Sequence, residues 1–371
     1  MKSFIEKLKI IDKKLWILLG IVIFIFLFGL LISRLIYSIN SSNKSFADVE
    51  AIMKNAAMKY YSETENKGSL PEEGESTSIG DIVLSEGGYM RPLEKLIKKY
   101  TCTGKVTVTK KGDNYIYAPY LDCGKSYKTV EFYNKLIKEA VTEGDGLYQD
   151  TNGYVFRGDN PNNYISLDNM LWRIISIDEN NTMELVSTDL VDIIQWDDRY
   201  NSQQETQKGY NDFMKSRFRE TFESILENNK TRDHEEIIIP TSIKNILIPV
   251  NNCFDKYPDN QTDFTNCTNK NELNISAISV GEFIKASLDA DCKTPKNKEC
   301  QNYNYLAIRE EAFTITGVSS NNFGVYHIGR NGAIGITDAS DTMGFFPVIR
   351  IPESIMYVSG EGTKDNPYII R

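Results

Sequence analysis

The residues best able to do chemistry in this chain are six cysteines: Cys102, Cys123, Cys253, Cys267, Cys292 and Cys300. They fall into three neighbouring couples. An even number grouped this way reads as three disulfides, and sequential pairing is the local choice among the 15 connectivities that six cysteines allow. A zinc site would need closer couples and histidines beside them. No couple has C-x2-C spacing, and the two histidines, His234 and His327, stand far from any couple.

The other chemically able groups give less. His234 sits in the charge run Arg232-Asp233-His234-Glu235-Glu236, and His327 falls on an expected hairpin strand, where a structural role is commoner. Neither is marked as the base of a Ser-His-Asp triad, and no G-x-S-x-G elbow, G-x-G-x-x-G or P-loop occurs. Asp197 and Asp198 follow Trp196 and offer paired carboxylates for glycosidase-like or calcium chemistry. Adjacent strand positions face opposite ways, which works against a shared site. Asp159 with Asn160, Asn162 and Asn163 offers calcium-favoured oxygens, as does Asp338 with Asp341. Neither follows the D-x-D-x-D-G spacing, and Asx-rich turns are the default for such runs. No catalytic, cofactor-binding or metal-ligating residue is therefore expected, and no cofactor.

The elements that must carry these residues begin with a membrane signal. Leu15 to Ser33 is 19 residues without a charge, of which fifteen are Leu, Ile, Val or Phe. That length and apolarity predict a transmembrane helix over 15–37, an uncleaved signal-anchor with Trp16 and Tyr37 at the interfaces. Five lysines against Glu6 and Asp12 give residues 1–14 a charge of +3, so of the net −9 the remainder carries −12. The lysines predict a cytoplasmic tail at 1–14, single-pass insertion in the cell membrane and an extracellular ectodomain. The lipid bilayer, through 15–37, is then one partner. The acidic body argues against nucleic acid, because phosphate binding needs a cationic face.

At 371 residues the chain is long enough for two folded units beyond the anchor. After a polar stalk at 40–45, Val49, Ile52, Met53, Ala56, Ala57 and Tyr60 recur at helical steps and predict a helix over 46–61. A loop over 63–78 and a short helical piece over 79–90 follow. Strands over 105–109 and 115–120, joined by a turn, lie between Cys102 and Cys123. The segments GDIVLSEGGYM (80–90), TCTGKVTVTK (101–110) and YIYAPYLDC (115–123), behind a helix containing Ala57-Met58-Lys59-Tyr60-Tyr61, are similar to the headpiece of Gram-positive type IV pilins and pseudopilins. The likeness covers roughly 15–125. The glycine-led F-T-L-x-E processing signature is missing, and Lys13-Lys14-Leu15-Trp16 stands in its place. A pilin-like α+β unit over 46–125 and a helical linker over 126–145 are implied.

From 146 to 371 strands dominate: 154–156, alternating positions through 164–178, 183–187, and a hairpin of 323–328 and 333–337 about Asn331-Gly332. Helices are expected over 213–226 and 278–288. The pieces GLY (146–148), YVFRG (154–158), NNY (162–164), LWRII (171–175), ISVGEF (278–283), PVI (347–349) and YVSGEGT (357–363) resemble a bacterial surface domain of unknown function allied to the C-type-lectin-like fold of formylglycine-generating enzymes. Phe313 and Phe346 replace the tryptophan and arginine usual in that pattern. The fold class implied is α+β: one N-terminal transmembrane helix, a small pilin-like unit and a larger lectin-like one. The function implied is a non-enzymatic cell-surface protein that presents a module for an extracellular glycan, peptide or protein. A pseudopilus-like assembly component is the alternative. An oxidase of the formylglycine-generating kind would need a reactive cysteine pair near the last strands, and nothing after Cys300 supplies a thiolate.

Overall fold

The computed structural model describes residues 23, 24, 28, 44–63, 66, 68–73, 75–111, 114–205, 207–231, 239–307 and 310–371. Helix α1 (Phe46–Ser62) starts at Ser45, whose hydroxyl accepts the Asp48 N–H while the Asp48 carboxylate accepts the Ser45 N–H, a closed capping box. It buries Val49, Met53, Ala56, Ala57 and Tyr61 against a three-stranded antiparallel sheet of β1 (Ser76–Gly80), β2 (Thr103–Lys111) and β3 (Asn114–Asp122). The short helices α2 (Asp81–Glu86) and α3 (Leu93–Leu96) add Leu84, Leu93 and Leu96 to this core. Ile79 and Gly80, expected to open a helix, instead close β1.

This corrects the expected α+β architecture led by a transmembrane helix. Helix makes up 22% and strand 32%, a mixed α/β fold, and among the described residues no helix is long and apolar enough to cross a membrane. The longest described helix, α1, has 17 residues and carries Asp48, Glu50, Lys54 and Lys59, whose desolvation opposes insertion. The expected span at 15–37 lies outside the described residues except for Ile23, Phe24 and Phe28. Single-pass residence in the cell membrane, with a cytoplasmic N-terminus and an extracellular ectodomain, loses its structural basis with it.

Helix α4 (Phe132–Lys138) sends Phe132 and Leu136 into a second, larger core. The strands of that core are β4 (Gly146–Asp150), β5 (Gly153–Arg157), β6 (Tyr164–Leu167), β7 (Met170–Asp178), β8 (Met183–Ser187) and β9 (Asp192–Gln195). After helices α5 (Arg217–Asn228) and α6 (Thr241–Lys244) come β10 (Val250–Cys253), β11 (Lys270–Leu273), β12 (Ile275–Ser276) and helix α7 (Val280–Ala286). The chain ends with β13 (Ala312–Gly317), β14 (Gly324–Ile328), β15 (Ile334–Asp338), β16 (Thr342–Phe345), β17 (Val348–Ile351), β18 (Tyr357–Ser359) and β19 (Tyr368–Ile370). A nine-stranded sheet runs β12-β17-β8-β7-β6-β19-β18, with the β4–β5 hairpin joined to β7. A five-stranded sheet runs β15-β14-β13-β16-β9, and β10–β11 form a separate ribbon.

The alternation through 164–178 hides a hairpin. Asp168 and Asn169 both adopt positive φ, 47° and 66°, and turn β6 into β7. Two such residues are what a tight primed turn requires. An aromatic cluster of Trp196, Phe213, Phe218, Phe222, Phe313 and Phe345 fills the second core, with Phe213 stacked 4.4 Å from Phe254. Phe313, which departs from the lectin-like pattern, is part of that packing, 5.9 Å from Phe218.

All six cysteines are paired, in sequence order: Cys102–Cys123, Cys253–Cys267 and Cys292–Cys300. The first ties together the outer ends of β2 and β3. The chain's last residue returns to α1. Arg371 pairs with Glu50, which is fully buried and also accepts the hydroxyls of Tyr127, at 3.0 Å, and Thr129. Arg371 further donates to the Tyr127 oxygen at 3.0 Å. Replacing Cys102 and Cys123 together by serine is expected to lower the stability of the smaller core by about 3 kcal/mol in denaturant unfolding, from the entropy of the opened loop. Arg371→Ala leaves the Glu50 charge buried without its cation, and a loss of about 3 kcal/mol is expected. Glu50→Gln combined with Arg371→Ala should recover part of it in the same measurement.

Candidate functional site

Three strands set one row of polar side chains across the large sheet. Ser176 of β7 faces Glu184 of β8, and Glu184 faces Arg350 of β17. A bulge between Ile174 and Ser176 lets Ile174 and Ile175 both enter the core and brings Ser176 into line. The Ser176 hydroxyl donates to Glu184 Oε2 at 3.0 Å, and Arg350 forms an ion pair with Glu184. The second nitrogen of Arg350 donates to Asn252 Oδ1 on β10 at 2.8 Å.

A second carboxyl comes from the first turn of α7. Ser279 caps that helix, and its N–H and hydroxyl donate to Glu282 Oε2 at 2.6 and 3.0 Å. The other Glu282 oxygen lies 3.9 Å from Arg350, and the carboxyl also hydrogen bonds with Glu184. Side-chain exposure is 7% for Glu184, 12% for Arg350 and 24% for Glu282, so all three are mostly buried. Burial first, and the Glu184 charge second, push Glu282 up to about 8, against the opposing pull of Arg350. Glu282 therefore leans toward its protonated form at neutral pH, beside the Glu184–Arg350 ion pair.

This group forms part of the wall of a cleft of about 260 Å3. Asn152, Tyr154 and Phe264 line it as well, and a Lys285–Asp150 ion pair of 2.7 Å stands beside them. The cleft offers carboxyl, amide, ammonium and aromatic surface together, the mixed lining of a small-ligand site. The hydrogen-bonded carboxyls are too close for glycoside hydrolysis, whose acid and base stand about 5 Å or more apart.

The groups singled out in the sequence lie elsewhere and apart. Asp197 is buried and gripped by Arg199, whose Nε lies 3.0 Å from Oδ1, whereas Asp198 pairs with Arg217 at 3.0 Å. Asp338 pairs with Lys208 at 3.0 Å, and Asp341 accepts the Thr337 hydroxyl. In the 159–163 loop it is Asp145 that accepts the N–H groups of Asp159 and Asn160, at 3.2 and 2.8 Å. Gly158 permits that approach: its φ is 110°, and a Cβ would fall 2.1 Å from Asp145 Oδ1. His234 lies outside the described residues. His327 sits on β14 against Gly335, and burial holds its imidazole below the usual range, opposed by Glu311 and Asp341. The sulfurs of Cys253 and Cys267 gather near Asp255, but both are consumed in their disulfide. Asp255 instead caps Thr268 and Asn269 through their N–H groups, at 2.8 and 2.9 Å.

Glu184, Glu282 and Arg350 escaped the sequence reading. Only the S-x-x-E capping box of Ser279 and Glu282 leaves a local signal, and it marks a helix start rather than a site. Comparison with known proteins gives no match to a family model, a curated sequence or a solved structure.

The Glu282 proton predicts a pH dependence of sign opposite to acid denaturation. The folded state keeps a proton that the unfolded chain releases near the ordinary glutamate value of about 4.3. Stability is fully present below that value and falls as pH rises through about 8. The slope from this group approaches about 1.4 kcal/mol per pH unit within the window. Glu282→Gln stays neutral throughout. Unfolding curves taken from pH 5 to 9 should show that slope removed, and an unchanged slope would place the proton elsewhere.

Proposed function

We propose that this chain is a non-enzymatic binding protein whose larger unit takes a polar, hydroxyl-rich ligand, such as a short glycan, in the Glu184–Glu282–Arg350 cleft. One observation carries the reading: a concave site whose polar groups are fixed before any ligand arrives. Hydroxyls both donate and accept, so they suit a wall that alternates carboxyl, amide and ammonium groups. Tyr154 and Phe264 supply flat apolar surface for the ligand's less polar faces. The volume falls just below the usual range for ligand clefts, which favours a short saccharide over a folded protein surface.

The binding reading is supported over catalysis by the way the strongest groups are occupied. Glu184 is held by Ser176 and Arg350, and Glu282 by its own helix cap. An oxidase needs a thiolate, and all six sulfurs are in disulfides. An assembly role is the second reading, favoured by Ile82 and Val83, which are 64% and 49% exposed on α2.

Binding of the full chain to a glycan array and a peptide library tests the proposal. A glycan hit is expected, weakened about tenfold by Asn152→Ala or Tyr154→Ala at the cleft mouth. These positions make no use of the buried proton, so folding should be retained. A hit unaffected by either change would move the site away from the cleft, and peptide-only binding would refute the glycan preference.

A further inference from the structure

A second pocket, on the same face of the large sheet, has a different character. The register places Arg173 opposite Val186, two residues along β8 from Glu184, so both rows project to one side. The Arg173 guanidinium lies between two aromatic rings, 4.3 Å from the centre of Tyr164 and 4.5 Å from that of Tyr305. Its Nε donates to Asn163 Oδ1 at 2.8 Å, and one terminal nitrogen reaches the Pro161 carbonyl at 3.3 Å. Asn163 is fully buried and is fixed in turn by donating to the Ile174 carbonyl at 2.7 Å. The arginine is thus oriented by neutral groups, and among the described residues it makes no ion pair with a carboxylate.

That arrangement is unusual in energetic terms. A partly desolvated guanidinium with no anion in contact forfeits hydration, and two cation–π contacts with the more distant charges of Asp159 and Asp145 offset only part of the cost. One hydrogen on the terminal nitrogen that reaches Pro161 and two on the other terminal nitrogen remain, and Arg173 lines a pocket of about 280 Å3. Phe346 and Leu171 give it apolar walls, and Lys364, exposed at its edge, adds a second positive charge. Asp189 also lines the pocket. Its carboxylate repels an anion nearby and so directs a ligand's charge toward Arg173 and Lys364.

We propose that this pocket binds a small organic carboxylate with a flat or apolar body, its carboxylate on Arg173 and its body against Phe346. Arginine's planar fork matches a carboxylate in two parallel hydrogen bonds, which a bare spherical charge does not reward. The pocket is separate from the Glu184–Glu282 cleft, and the proposal does not depend on the glycan reading.

The test uses the full chain with benzoate, benzamide and inorganic phosphate as probes, by calorimetry or ligand-detected resonance up to about 10 mM, the range for fragments of this size. Benzoate should bind, and neutral benzamide about tenfold more weakly or not at all. Arg173→Lys keeps the charge but loses the fork and should weaken benzoate by about tenfold. Should that variant fail to fold, Lys364→Glu, at an exposed position, should weaken benzoate several-fold. Asn152→Ala, in the other cleft, should leave it unchanged. Benzoate and benzamide binding alike, no benzoate binding in this range, or indifference to both pocket variants would overturn the site. Phosphate binding as well as benzoate, with the same sensitivities, would overturn the organic ligand in favour of a bare anion.

Discussion

The larger unit is built around a guanidinium that cannot be buried alone. Arg350 brings one positive charge into the space between the sheet and α7, and two carboxyls meet it there. Burial and the Glu184 charge push the second carboxyl, Glu282, toward its protonated form there. The same contacts bind together β7, β8 and β17, the first turn of α7 and the β10–β11 ribbon through Asn252. Scaffold and candidate site are therefore one set of interactions. A ligand that altered the Glu282 proton would act on the packing of all five elements.

Around this polar centre the fold separates its chemistry by region. The aromatic cluster about Trp196 and Phe218 fills the core with carbon, and the Trp196 indole N–H is satisfied by the Thr314 carbonyl at 3.1 Å. Acidic groups that looked available are spent locally on arginine partners or on caps, as with Asp197 and Asp255. Arg173 is the contrasting case, a cation satisfied by rings and amides on the side of the sheet that carries the Glu184 row. At the chain's end Arg371 meets Glu50, so a residue of the strand-rich unit completes the core of the helical one. The two cores share an electrostatic contact although their apolar residues form separate clusters.

Local order was legible wherever a short-range interaction decides it. The helical spacing of Val49, Met53, Ala56 and Ala57 marks the buried face of α1, although Tyr61 rather than Tyr60 completes it. Asn331-Gly332 marks the β14–β15 hairpin because Gly332 adopts φ 75°. Cysteine proximity in sequence anticipates all three disulfides. The turn at Asp168-Asn169 was missed because alternation on both sides of it reads as one long strand. The membrane expectation was drawn from apolar content at 15–37, and the described helices, charged or short, give it no support.

The sequence by itself determined the caps, the turns, the cysteine couples and the apolar stripes, because each depends on residues within a few positions of one another. Tertiary structure alone decided the sites. Ser176, Glu184, Asn252, Glu282 and Arg350 are strewn over more than half of the strand-rich unit, and strand register and the seating of α7 bring them together. Whether a carboxyl is a solvated charge or a buried acid depends on what surrounds it, and in this chain those surroundings come from residues far away in sequence.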